Sequence, residues 1–231
     1  MKKGNRKSFN KGFTLVELIC VLVVLAVIAA VLVPSLLGYI LKVNQKKEIN
    51  NARTLLEATQ AQLVELYAAQ GVPPEDTPII PSNCSDNDNR DRDITNTTFV
   101  KDVLNLVSME GYSKNNKNGK PYLFMVAVGS NAKNTAKITK NRVSDHDKYT
   151  VYYAVYMETE KSNPIYYYNG EWTNDNPRPD SGVIIFDKQN VVSSGPLKGM
   201  RLQYYLMVNG ANKSLYNNEF WKWLKGKSVY N

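Results

Sequence analysis

The apolar positions fall into three regimes along the chain. From Phe13 to Leu41 they are nearly continuous, and between Leu18 and Val33 the only polar side chain is the thiol of Cys20. As a helix at ~1.5 Å per residue this run is about 40 Å long, enough to cross a hydrocarbon core of ~30 Å. Beyond it, Ile49, Ala52, Leu56, Thr59, Leu63 and Leu66 recur at helical spacing on one narrow face, while Lys42, Lys46, Lys47, Glu48, Arg53, Glu57 and Glu65 fall mostly off it. The pattern predicts one helix from Phe13 to about Ala69, roughly 85 Å long. Its first half is apolar all round and its second half amphipathic. Gly71 and Pro73-Pro74 stop it, because glycine supplies a left-handed cap and proline cannot continue the ladder.

The third regime lies further on. Residues 75–98 are polar and turn-rich and read as a surface loop. A short helix is expected over Phe99–Val107, capped by Thr97 or Thr98, with Phe99, Val103, Leu106 and Val107 facing inward. Tyr122–Val128, Thr150–Glu158, Ile165–Tyr168, Val183–Phe186 and Leu202–Val208 are rich in β-formers and bounded by turn residues, which predicts five strands of one antiparallel sheet. Glu158–Pro164 reads as a hairpin link and Asn169-Gly170 as a turn. A terminal helix over Leu215–Leu224 is expected to pack back on the sheet through Leu215, Phe220, Trp223 and Leu224. The fold class is α+β: a long N-terminal helix packed on an antiparallel β-sheet head. The segments are 1–12 as leader, 13–41 as apolar helix half, 42–70 as amphipathic half and 71–231 as globular head.

Composition narrows the functions open to such a chain. With 43% hydrophobic residues, 22% charged residues, 15 Tyr and 3 Trp, the 231 residues have enough apolar surface to fold rather than stay disordered. One His and two Cys exclude a disulfide framework and make a dedicated His/Cys metal site unexpected. The net charge of +8 is local: Lys2, Lys3, Arg6, Lys7 and Lys11 supply five of the 29 bases, leaving 24 against 21 acids in the remainder. Bases ahead of an apolar run place 1–11 in the cytoplasm and everything after Leu41 outside. The run is longer than the core of a general secretory peptide and has no small-residue cleavage site after it.

Glu17 stands out, because a charge in an apolar span costs roughly 3 kcal/mol on insertion scales and needs a partner. In the stretch Lys11-Gly12-Phe13-Thr14-Leu15-Val16-Glu17-Leu18, with a basic leader before it and an apolar helix after it, the chain resembles the type IV prepilins and pseudopilins with their class III signal. The resemblance covers about residues 1–70. It implies cleavage by prepilin peptidase between Gly12 and Phe13, N-methylation of Phe13, an assembly role for Glu17 and a helix kink at Pro34. The new amine at Phe13 of one subunit would neutralise Glu17 of a neighbour. The implied partners are prepilin peptidase, other pilin subunits, an inner-membrane assembly platform and the membrane itself.

The implied function is a structural subunit of a type IV pilus or related filament; a head of about 160 residues leans towards a minor subunit, with major and minor both left open by the sequence. It begins as a single-pass protein of the cytoplasmic membrane and ends in an extracellular or envelope filament. Three alternatives stand beside it: a pseudopilin of a type II secretion or competence DNA-uptake system, a membrane-anchored binding or adhesion module that never polymerises, and an ordinary signal-anchored protein whose Glu17 snorkels to the interface. Cys84 is the only cysteine beyond the apolar run. That departs from the C-terminal disulfide of many Gram-negative pilins and leans towards a Gram-positive one, with Cys84 a free thiol.

Other candidate chemistry reads as weaker. Asp86, Asp88, Asp91 and Asp93 supply oxygens for calcium, but Arg90 and Arg92 interleave and the glycine and distal glutamate of an EF-hand are out of register. His146 between Asp145 and Asp147 is a solvated polar turn with no matching nucleophile. Glu158 and Glu160 read as surface charge at a strand end. Lys198–Lys227 carries six bases against Glu219, interleaved with Tyr204, Tyr205, Tyr216, Trp221 and Trp223, a composition compatible with DNA. Tyr166, Tyr167, Tyr168 and Trp172 offer an aromatic face for a surface glycan, with sheet packing as the alternative. No nucleotide or hydrolase motif occurs, so no enzyme activity and no cofactor are expected.

Overall fold

The computed structural model describes residues 13–74, 77–81, 91–130, 144–168, 170–175, 184–185, 191–192 and 202–212. In chain order the elements are α1 (Leu15–Gln70), β1 (Asp91–Asp93), α2 (Thr98–Leu106), β2 (Leu123–Gly129), α3 (Asp145–Lys148), β3 (Val151–Met157), β4 (Ile165–Tyr168), β5 (Glu171–Thr173), β6 (Ile184–Ile185), β7 (Val191–Val192) and β8 (Leu202–Asn209). The chain divides into two compact units, Met1–Lys47 and Glu48–Asn231.

In the first unit every described residue, 13–47, is exposed, including Leu22, Leu25, Ile28 and Leu32. The helix is long and apolar enough to cross a membrane, by length and composition. Pro34 lies inside it. A proline there has no N–H for the preceding turn, which leaves the carbonyl of Ala30 without its usual intrahelical donor.

The second unit is built around the remainder of α1. Ala52, Leu55, Leu56, Ala58, Thr59 and Leu63 are buried, with Ile49 and Leu66 partly buried against the same core. The stripe is wider than the spacing alone indicates, because Leu55 and Ala58 join it. Thr59 is tolerated there because its hydroxyl donates to the carbonyl of Leu55 at 2.8 Å. Gly71 ends the helix as expected, with φ +66° and its N–H donating to the carbonyl of Tyr67 at 2.8 Å.

The main sheet has the order β1-β8-β2-β3-β4-β5. Its last five strands are antiparallel neighbours, whereas β1 pairs parallel with β8, Arg92 opposite Tyr205. One face carries Phe124, Val126, Val128, Ala154, Tyr156, Tyr205 and Met207 into a core shared with α1 and α2. The other carries Leu123, Met125, Ala127, Tyr153, Val155, Met157, Tyr166, Tyr204 and Leu206 into a second cluster. Every residue of β2 is buried. Burial on both faces is the physical reason these strands read as continuous apolar runs rather than alternating ones.

Several expectations change. Residues 184–185 do not join the main sheet; β6 pairs with β7 in a separate two-stranded sheet, and the short β5 supplies the strand beside β4. The polar stretch 75–98 is not all surface loop, because Ile79, Ile80 and Ile94 are buried and β1 forms an edge of the sheet. The Ile80 N–H donates to the Tyr205 hydroxyl at 3.1 Å, which satisfies a backbone group that burial would otherwise strand. α2 is capped by Thr97, whose hydroxyl accepts from the Val100 N–H. Its inward residues are Phe99, Val100 and Val103, while Leu106 is 59% exposed. The expected helix at 215–224, Cys84, and Asp86 and Asp88 lie outside the described residues.

Candidate functional site

Two places gather polar chemistry that the fold alone does not require. The first is the start of α1. Gly12 lies outside the described residues, and Phe13 is 88% exposed at the head of the helix. Oε2 of Glu17 accepts from the backbone N–H of Thr14 at 2.8 Å and from its hydroxyl at 2.8 Å. The Thr14 hydroxyl in turn accepts from the Glu17 N–H at 3.2 Å. These reciprocal bonds form a capping box, in which two otherwise orphaned helix donors are satisfied. Glu17 is therefore held at the first turn, three residues from the cap and on the N-terminal side of the apolar run. The sequence signal was the Thr-x-x-Glu spacing, which accounts for Thr14 as well as Glu17. Cys20, one turn further on, is exposed.

The second place is the end of β3. Glu158 is not surface charge: it is 5% exposed, while Glu160 is exposed as expected. Oε1 of Glu158 accepts from Lys120 Nζ at 2.9 Å, and Oε2 accepts from Asn51 Nδ2 at 3.1 Å and from the Tyr156 hydroxyl. Burial pushes the Glu158 carboxyl up, but the bonds from Tyr156, Lys120 and Asn51 and the charge of Lys120 outweigh it and hold the group below its ordinary value. Glu48 accepts from the Ser162 hydroxyl at 3.1 Å. Its carboxyl is pushed up by burial and by the negative charge of Glu158, against opposing contributions from Ser162 and Lys120. Asn51, Lys120 and Glu158 come from α1, the turn before β2 and the end of β3. No local pattern links such distant positions.

The remaining candidates separate cleanly. His146 is exposed in α3, which is held by a capping box between Ser144 and Asp147, so the polar-turn reading stands. Asp93 accepts from the Thr95 N–H at 3.1 Å and from its hydroxyl at 2.7 Å, closing a local turn. Among the described residues no group of three or more His, Cys, Asp or Glu is placed to hold a metal ion. Tyr204 and Tyr205 are fully buried on opposite faces of the sheet and offer no ring for base stacking; Tyr216, Trp221 and Trp223 lie outside the described residues. Tyr166 is buried likewise, while Tyr167 and Trp172 are half-buried and pack ring on ring, 5.5 Å between centroids. Sheet packing thus accounts for most of that aromatic run.

Residues 7–33 match the family model described as the prokaryotic N-terminal methylation motif. No curated protein and no solved structure matches the chain. The motif is the class III signal of type IV pilins and pseudopilins, and the long apolar helix with the antiparallel sheet is a pilin-like α+β architecture. It also suits a single-pass membrane-anchored precursor.

Proposed function

We propose that the chain is a structural subunit of a type IV pilus or related filament, cut between Gly12 and Phe13, methylated on the Phe13 amine, and docked through Glu17. The observation that carries this reading is the coincidence of the methylation motif at 7–33 with a helix half whose apolar side chains are exposed on every side. Such a surface needs lipid first and helix neighbours afterwards, which is what extraction from a membrane into a filament provides. The partners are prepilin peptidase, an assembly platform and further subunits, and Pro34 is the place where the helix bends to follow its neighbours.

A minor subunit fits better than a major one, on the size of the head. The pseudopilin reading shares the processing and the docking and differs in the machine served. The anchored, non-polymerising module differs at Gly12 and Glu17. DNA or glycan binding by the head is not favoured, because three of the tyrosines that recommended it, Tyr166, Tyr204 and Tyr205, are core residues.

Mass measurement of the mature chain tests the proposal. Phe13 as the N-terminus, one methyl group heavier, is the expected result, and retention of 1–12 in cells with active peptidase sinks it. Replacing Gly12 with Val should block the cut. Glu17→Ala should still be cut and inserted but enter filaments poorly, since the neighbour's amine is left unpaired in a low-dielectric bundle at a cost of roughly 3 kcal/mol or more. Incorporation equal to wild type would remove the docking role.

A further inference from the structure

The two oxygens of the Glu158 carboxyl group hold two groups that react with each other when a proton carrier stands between them. One is the primary amine of Lys120 on Oε1, the other the carboxamide of Asn51 on Oε2. Both donors thus sit on a single carboxyl group, one on each oxygen. The carboxyl group is 6% exposed at its side chain, whereas Lys120 is half exposed. The Tyr156 hydroxyl donates to the same oxygen as Asn51 and fixes its direction.

We propose that Lys120 and Asn51 become joined by an intramolecular isopeptide bond, with Glu158 as the general base and acid that forms it. The ammonium of Lys120 gives a proton to Oε1 of Glu158, and the lone pair it gains attacks Cγ of Asn51. The Nζ–Cγ bond forms as the amide carbonyl becomes tetrahedral. The bond from Cγ to Nδ2 then breaks, and Nδ2 leaves as ammonia with the proton that Glu158 returns to it. The second proton lost from Nζ goes to water with the ammonia, as ammonium. The chain loses one NH3, no oxidation state changes, and no other reactant is needed.

The shared contacts on Glu158 favour this chemistry. Amides resist amines in water because the attack is bimolecular and the leaving group is poor; holding the reactants together removes the first obstacle and a positioned acid relieves the second. Glu158 begins as a carboxylate, because its hydrogen bonds outweigh its burial, and its contact with Nζ gives the proton a direct path. The half-exposed side of Lys120 gives the ammonia a way out to water. The product ties α1 to the turn that leads into β2, the strand that lies between β8 and β3. A covalent tie there would keep the sheet on its helix when the chain is pulled or heated. This inference does not depend on polymerisation, so its failure and the failure of the filament reading are separate events.

The full chain, purified in detergent and digested with trypsin after denaturation, gives the test. The expected product is a branched species joining peptides 48–53 and 118–133, lighter than their sum by one ammonia. Intact mass alone does not decide, because Asn-Gly pairs such as 118–119 and 209–210 also lose ammonia as succinimides. Lys120→Arg keeps the charge and the hydrogen bond to Glu158 but supplies a guanidinium that is not acylated, and Glu158→Gln cannot take the proton. Both should give peptide 48–53 unbranched, while the folded wild type gives the branched species. Linear 48–53 as the only form in folded wild-type protein overturns the proposal, and that reading does not require either variant to fold. A branched species that persists in Glu158→Gln overturns the role given to Glu158.

Discussion

Helix α1 contains two regions whose leucines lie in opposite situations. Leu25 is 56% exposed with every neighbour exposed too, while Leu63 is fully buried, and all six buried residues of the helix lie at or beyond Ala52. The regions differ in how apolar they are and in how the apolar positions are distributed around the axis. A one-sided stripe is completed by the protein's own sheet; an all-round surface is completed only by something else. The head half is held by tertiary packing of that stripe, whereas the other half rests on backbone hydrogen bonds, the Thr14–Glu17 cap and whatever solvent or neighbour covers it.

The strongest way to break this comparison is to separate the regions. A chain beginning at Val43, without the leader and the apolar half, should be soluble and monomeric by sedimentation. The full chain should require detergent or lipid. Aggregation of the short form would mean that the amphipathic stripe is not satisfied within the head, and the contrast would collapse.

The next largest effect compares like with like. Leu63→Ala deletes a side chain from the shared core and should cost about 2–5 kcal/mol, whereas Leu25→Ala should leave head unfolding within about 0.5 kcal/mol of wild type. Unfolding followed by tyrosine fluorescence in matched detergent reads both. Equal losses would show that Leu25 packs on the head after all.

How much of this was legible in advance differs by region in the same way. The apolar half of α1, the methylation-motif stretch at 7–33 and the turn of the chain at Gly71 are local features, written as uninterrupted stretches of sequence. The head's core strands were legible for type, because Leu123–Gly129 and Val151–Met157 are dense in β-formers. Their unbroken apolar runs also carried the news that both sheet faces are buried. Edge elements were not legible. Asp91–Asp93 becomes a strand only because β8 presents a free edge, and three polar residues carry no period of their own. Ile79 and Ile80 were hidden by polar surroundings, although an Ile-Ile pair between prolines has little other use than burial. Glu158 was misread because its partners Asn51 and Lys120 are distant in sequence and come together only in the fold.

A third experiment sharpens the comparison through charge. Glu158 has a folded pKa below its ordinary value, so its contribution is complete above the ordinary carboxylate range and is lost as pH falls through the lowered value. Glu48 has a raised folded pKa, so it opposes folding at neutral pH and is relieved as pH falls. Where Lys120 and Asn51 are not joined, Glu158→Gln should therefore cost about 1–3 kcal/mol at pH 7 and reduce the acid sensitivity of head unfolding. Glu48→Gln should be neutral or stabilising at pH 7. Chemical unfolding of each variant at pH 7 and pH 4 distinguishes them, and an unchanged pH profile in Glu158→Gln would assign the acid sensitivity elsewhere. Membrane insertion should be indifferent to both substitutions, since neither residue lies in the apolar run.

The smallest effect falls on two adjacent residues. Leu63 is buried and Val64 is 57% exposed, because one step along a helix turns the side chain by about 100° and carries it from the sheet-facing stripe to the outer surface. Val64→Ser removes exposed apolar area without opening a cavity, so head unfolding should stay within about 0.5 kcal/mol of wild type. Exposure in the isolated subunit does not imply exposure in a filament, however, where helices pack side by side. Val64 and its neighbour Tyr67, 41% exposed, are the exposed large apolar residues of α1 from Glu48 onward. If subunits pack along the whole of α1, Val64→Ser should lower filament yield while leaving the unfolding of the purified subunit untouched. If contact is confined to the apolar half, both readings should match wild type. A loss of subunit stability above 1 kcal/mol would contradict both and place Val64 inside the head.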